Sequence, residues 1–155
     1  MKRGAPLDRR MERMGTDLKL AFSGPAGLWE DADLDLERGR PRRGTDAAVA
    51  QGIDAIDQML INRLKTQQGE LAALGHPLYG SRHHELIGEP NVERTRNLIK
   101  LHILEALSHE PRLEQVLSCE VSVDPADPSA VRIAITAKII AIDEPRNLVV
   151  GFGLE

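Results

Sequence analysis

Residues 108–113 read SHEPRL, and the chain changes its period across them. Before this point Leu98, Ile99, Ile103 and Leu107 recur at helical spacing, so one face of a helix is apolar. After it Leu117, Cys119, Val121 and Val123 alternate with Ser118, Glu120 and Ser122, the pattern of a strand with one buried face. Pro111 has no backbone donor and biases Glu110 toward extended geometry, so the helix ends here and the chain turns. A helical half followed by a strand half predicts an α+β fold: two long helices and short helical turns on a C-terminal antiparallel meander or hairpin.

Toward the C-terminus the strand signal strengthens. DPADPSA (124–130) reads as a turn, and VRIAITAKIIAI (131–142) puts Val131, Ile133, Ile135 and Ile139 on one face. The opposite face is mixed: Arg132, Thr136 and Lys138, with Ala134 and Ile140. DEPRN (143–147) turns the chain again, and LVVGFGLE (148–155) alternates Leu148, Val150, Phe152 and Leu154. Toward the N-terminus, a helix is expected from a cap at Thr45 or Asp46, with Val49, Ile53, Ile56, Leu60 and Leu64 stepping by four and three. Gly69 is its stop, and GHPLYGS (75–81) follows as a turn. Residues 81–87 suit one or two helical turns, and the second long helix starts near Pro90, with Asn91 as its cap and Glu93 near its positive end. Leu18, Leu20 and Phe22 mark an extended segment, closed by Gly24, Pro25 and Gly27. Acidic residues 30–37 and basic residues 38–43 read as a solvated loop. The division expected is a basic, mobile arm (1–14), an extended segment with charged loop (15–44), and an α+β domain (45–155).

Composition excludes several classes of function. The 155 residues suit one core, and aromatics at 3% are too few for a platform that stacks bases or sugars. A net charge of −4 gives no general attraction to nucleic acid or anionic lipid. The single Cys119 builds neither a disulfide framework nor a cysteine zinc site, and it falls at an inward strand position, as an inert thiol would. The basic start lacks the apolar stretch of a secretory signal, and no later run has membrane-spanning length. His76, His83, His84, His102 and His109 match no metal-ligand spacing, and adjacent His83 and His84 are expected to point apart on a helix. No catalytic or cofactor fingerprint is present, so neither a catalytic residue nor a cofactor is assigned. Glycoside cleavage would need two facing carboxyls, one kept protonated. Glu110 is the candidate, but a paired arginine such as Arg112 favours the charged form of an acid.

Taken together, INRLKTQQGEL, GHPLYGS, ALSHEPRL and the closing strands resemble the baseplate assembly protein W family of contractile tails, whose members include sheath initiators. The family's helix end falls on Leu64, Thr66, Gly69 and Glu70, its turn on Pro77, Tyr79 and Gly80, and its corner on Glu110, Pro111 and Arg112. A second Glu-Pro-Arg at residues 144–146 lies in a hairpin turn, outside the family's context. The likeness runs from about Gly15 to the C-terminus. It implies a structural adaptor, not an enzyme, that joins the baseplate wedge to the first sheath ring. Its implied partners are wedge proteins, sheath subunits and central hub, spike or tube proteins, with no nucleic acid and no membrane insertion. Glu110, Pro111 and Arg112 would face the wedge. The strands carrying Ile135, Ile139, Leu148, Val149, Val150 and Phe152 would accept a sheath strand, with Arg132 and Lys138 discouraging unregulated pairing. Assembly would occur in bacterial or archaeal cytoplasm before incorporation into a phage tail or injection particle. The family has also carried a lysozyme label, which leaves a peptidoglycan hydrolase as the alternative.

Overall fold

A computed structural model describes residues 15–23, 31–38, 45–140 and 142–154. The expected mobile arm at 1–14, the break at 24–27 and the basic run at 39–43 lie outside the described residues. Those described form two compact units that divide after Leu60.

The first unit is built from short antiparallel ladders. Strands β1 (Thr16–Leu18), β2 (Leu20–Ser23), β3 (Asp31–Leu34), β4 (Leu36–Arg38), β5 (Thr45–Ala47) and β6 (Val49–Gln51) pair as β1 with β6, β2 with β3, and β4 with β5. Main-chain bonds among Lys19, Asp35 and Ala48 link the three ladders. Residues 31–38 are therefore strands where a solvated loop was expected; backbone pairing sets their conformation, while Asp33, Leu34 and Leu36 remain exposed. The helix also starts later than its apolar spacing suggests. Thr45 and Asp46 belong to β5, and Val49, 45% exposed, sits on β6 opposite Leu18. Gly52, with φ 59, turns the chain from β6 into helix α1 (Ile53–Lys65). From α1, Gln58 donates to Leu18 O and accepts from Leu20 N, both at 2.8 Å, clamping the extended segment.

The second unit begins within α1 at Ile61. It continues through 3₁₀ turns Ala72–Leu74 and Arg82–Leu86, then helix α2 (Glu93–Ser108) and strands β7 (Leu113–Val123), β8 (Ala130–Ile139) and β9 (Arg146–Gly153). The three strands form one antiparallel sheet in the order β7-β8-β9. This is the expected α+β arrangement. Ile99, Ile103 and Leu107 bury the inner face of α2, which packs on β7 and on the 3₁₀ turn at 82–86. On β8, Val131, Ile133, Ile135, Ala137 and Ile139 alternate inward as their spacing predicts. Asp124 and Asp127 fold the connecting turn by accepting from Ala126 N and Ser129 N.

Two local expectations fail for identifiable reasons. Asn91 does not cap α2: Val92 holds the cap position, and the Asn91 amide donates to Pro128 O and Ala130 O, tying the helix start to the β7–β8 turn. Leu117 is exposed because β7 shifts register between Val116 and Ser118, as it does between Leu113 and Gln115. Each extra residue resets the alternation. Among the described residues, no helix is long and apolar enough to cross a membrane.

The end of β9 is anchored by rings. Phe152 meets His83 edge-on at 4.5 Å and His84 at 5.6 Å. The two histidines do not point apart; the tight 3₁₀ turn brings their centroids to 4.1 Å. His83 Nδ1 lies 2.8 Å from Ser81 Oγ, and His84 Nε2 donates to Leu64 O at 2.8 Å. Burial, reinforced by charge on His84 and His102, lowers the His83 pKa to about 3. Between that value and the ordinary 6.5 the unfolded chain binds a proton that the folded chain does not, so stability falls as pH drops through this window. His83→Phe is expected to flatten that acid slope in denaturant titrations from pH 7 to pH 4, whereas an unchanged slope would show that His83 is not its source.

Candidate functional site

The corner first noticed in SHEPRL is built around a buried charge. On α1, Ile56, Leu60 and Leu64 form a buried stripe, and Arg63 stands on the same face, seven residues after Ile56. Its Nη2 donates to Glu110 Oε2 at 3.2 Å, with the two side chains only 9% and 3% exposed. The other carboxylate oxygen of Glu110 accepts from Arg112 N and from Arg112 Nε, each at 3.1 Å. Thus Glu110 and Arg112 do pair, but Glu110 is an internal group that cannot face an outside protein. Arg112, with its side chain 44% exposed, and Pro111 form the outward part of the corner.

The second ring of residues explains the spacing of the quoted motifs. Arg63 Cζ lies 4.5 Å from the centroid of Tyr79, a cation–π arrangement. Tyr79 reaches that place because the loop after α1 is laced to residue 81: Ser81 N donates to Thr66 O at 2.9 Å and Gln68 N to Ser81 O at 3.2 Å. Thr66 Oγ1 in turn donates to Asn62 O, and Glu70 accepts from Gln67 N. Gly80 passes this crossing at φ +97, where a Cβ would stand 2.5 Å from Thr66 O. Only glycine fits. Gly69, at φ +93, is required by conformation alone, since nothing lies near its missing side chain. Leu64 is buried, and Pro77 is exposed in the turn before Tyr79. The quoted loop residues thus shape the crossing that sets Tyr79 against Arg63.

Arg63 was present in the quoted INRLKTQQGEL without a role. The signal that identifies it is an arginine at an inward position of an apolar helical stripe, which demands a buried anion elsewhere. The anion is the glutamate before Pro111.

A different feature lies at the far side of the sheet. Ile135 and Ile139 belong to central strand β8 and are buried, so they line the core and receive no incoming strand. Leu148 and Val150 are buried and Phe152 half-buried on edge strand β9, while Val149 is 39% exposed. The direction of each β9 amide follows from parity. Leu154 N donates to Ser129 O, and Asp124 N donates to Ala130 O, which fixes alternate hydrogen-bonded pairs on both sides of β8. Phe152, Val150 and Leu148 consequently bond to β8, whereas the main-chain groups of Asn147, Val149 and Gly151 point to the opposite side. Among the described residues no strand pairs with that side.

Cys119 is buried, which pushes its thiol pKa up. Among the described residues no group of three or more His, Cys, Asp or Glu side chains is arranged to hold a metal. Lys138, expected to guard the edge, pairs with Glu114 of β7 at 3.0 Å.

A braced corner and, among the described residues, an unpaired strand edge are features of the class of structural modules. The sequence comparison narrows this class: residues 50–144 match the family described as baseplate wedge protein gp25. The chain belongs to that family and is a structural component of a phage-tail-type baseplate. A solved structure from Geobacter sulfurreducens, named as a candidate tail lysozyme, is similar at 27% identity and a TM-score of 0.56 over 64% of this chain and 88% of that one. No curated protein matches the chain.

Glu110→Leu alone should destabilise the folded chain by about 3–5 kcal/mol, because it strands the Arg63 charge in a buried place. Adding Arg63→Met should recover most of that loss. Urea unfolding of the two variants checks both statements, and a loss below about 1 kcal/mol for Glu110→Leu would reduce the contact to an ordinary surface pair.

Proposed function

We propose that this protein links the baseplate wedge to the first ring of a contractile sheath and templates that ring by strand addition. The observation that carries the reading is the contrast between the two sheet edges. Strand β7 is bulged twice, which twists and breaks its edge. Strand β9 pairs with β8 over eight consecutive residue pairs without a shift, leaving a regular row of outward amides and carbonyls. A regular edge is a template for an extended segment, with main-chain bonds supplying the affinity. Wedge proteins would meet the exposed flank of the corner, Pro111 and Arg112, while Glu110 and Arg63 hold that flank in place. Hub, spike or tube proteins are further neighbours in such an assembly, which would form in the cytoplasm of a bacterium or archaeon.

Val149→Pro removes an outward donor without touching the β8–β9 ladder. Particles carrying it should show assembled baseplates with no extended sheath in electron micrographs, and the free variant should keep its circular dichroism spectrum. Full-length sheaths on a folded variant would end the strand-addition reading. Deleting residues 148–155 would be less informative, because Leu154 is part of the core.

The name of the Geobacter sulfurreducens relative raises hydrolysis of peptidoglycan as a second reading. Its required general acid has no good candidate at the corner, where Glu110 is already engaged by two guanidinium groups. Purified protein is expected to leave the turbidity of a cell-wall suspension unchanged. Clearing that disappears in Glu110→Gln would establish the hydrolase instead.

A further inference from the structure

Gly151 poses a question that the fold does not answer. It lies in an edge strand, where glycine weakens the strand, and it is not among the glycines with positive φ. Nor does a bulge require it, since β8 and β9 pair without a register shift. A strand glycine of this kind leaves room for the close approach of another group.

Its cross-strand partner supplies that group. Arg132 stands opposite Gly151, on the face of the sheet away from the buried Val131 and Ile133. The Arg132 residue is exposed and its guanidinium makes no hydrogen bond or ion pair with the described residues, whereas Lys138 on the same strand is committed to Glu114. With no side chain at 151, nothing on β9 stands between the Arg132 stem and the open edge. A residue on an added strand opposite Gly151 would lie about 9–10 Å from the Arg132 backbone, two strand spacings away. A guanidinium and a carboxylate, each extended over the glycine, close that gap. Val149, exposed and paired with Ala134 on the same face, offers an apolar neighbour two residues along.

We infer that the β9 edge selects its partner strand by charge: Arg132, reaching across Gly151, pairs with an aspartate or glutamate on a strand of another protein, next to an apolar residue that covers Val149. This rests on the strand-addition reading and adds the chemistry of the partner. In an antiparallel addition the partner would read acid, any residue, apolar; in a parallel one the order reverses. A second copy of this chain is a poor occupant, because pairing β9 with β9 about Gly151 brings two Arg132 side chains together.

The test uses the full chain and two fluorescent strand peptides, identical except for glutamate or lysine at a central position two residues from a valine. Fluorescence anisotropy should show the glutamate peptide binding about fivefold more tightly than the lysine peptide. Arg132→Glu should reverse the order, and Gly151→Val should erase the preference without unfolding the protein. Equal binding of the two peptides, or a glutamate preference that survives Arg132→Glu, would overturn the charge selection while leaving strand addition intact. Binding of neither peptide would overturn strand addition and this inference together. A dimer of the chain that Val149→Pro abolishes would assign the edge to a second copy and likewise overturn the proposal.

Discussion

The ion pair between Arg63 and Glu110 is the constraint on which the second unit depends. Two charges held at 3.2 Å and almost wholly out of water are worth little net stability compared with a well-packed apolar pair. What they supply is specificity of arrangement, since neither charge tolerates a misplaced partner. The end of α1 and the turn between α2 and β7 are far apart in sequence, and the pair joins them. Main-chain bonds from Leu113 N to Glu110 O and from Ile140 N to Arg112 O then carry that position into the sheet.

Other features serve the same charge. Tyr79 covers Arg63, Gly80 permits the crossing that delivers Tyr79, and Ser81 ties that crossing to Thr66 and to His102 O. The 3₁₀ turn that follows supports Phe152 from below through His83 and His84. A chain of direct contacts thus runs from the braced corner to the end of the edge strand. That continuity links the Pro111–Arg112 flank to the β9 edge through side chains rather than through the sheet alone.

The sequence made the architecture legible where physical signals were strong. The switch of period at Pro111 located the junction of helix and sheet, and the alternation of Val131, Ile133, Ile135 and Ile139 gave the central strand its inner face. Weak signals misled. Val49 fitted a helical stripe by spacing, yet cross-strand pairing with Leu18 and the turn at Gly52 outweighed that single match. Leu117 fitted a period of two until a bulge shifted it, and no local residue announces that bulge. Glu110 and Arg112 were singled out correctly as a pair, but the burial of Glu110 was invisible because its partner lies 47 residues earlier. Reading Arg63 as a misplaced charge on an apolar face would have found it.

Central to this structure is a sheet joined to the braced corner and, among the described residues, left unpaired along one side of β9. Amide hydrogen exchange resolved by NMR on the free protein measures this residue by residue. Slow exchange is expected at Leu148, Val150 and Phe152, whose amides bond to β8, alternating with fast exchange at Asn147, Val149 and Gly151, whose amides point outward. Uniform protection along residues 147–152 would contradict it, because the edge would then already be paired or covered.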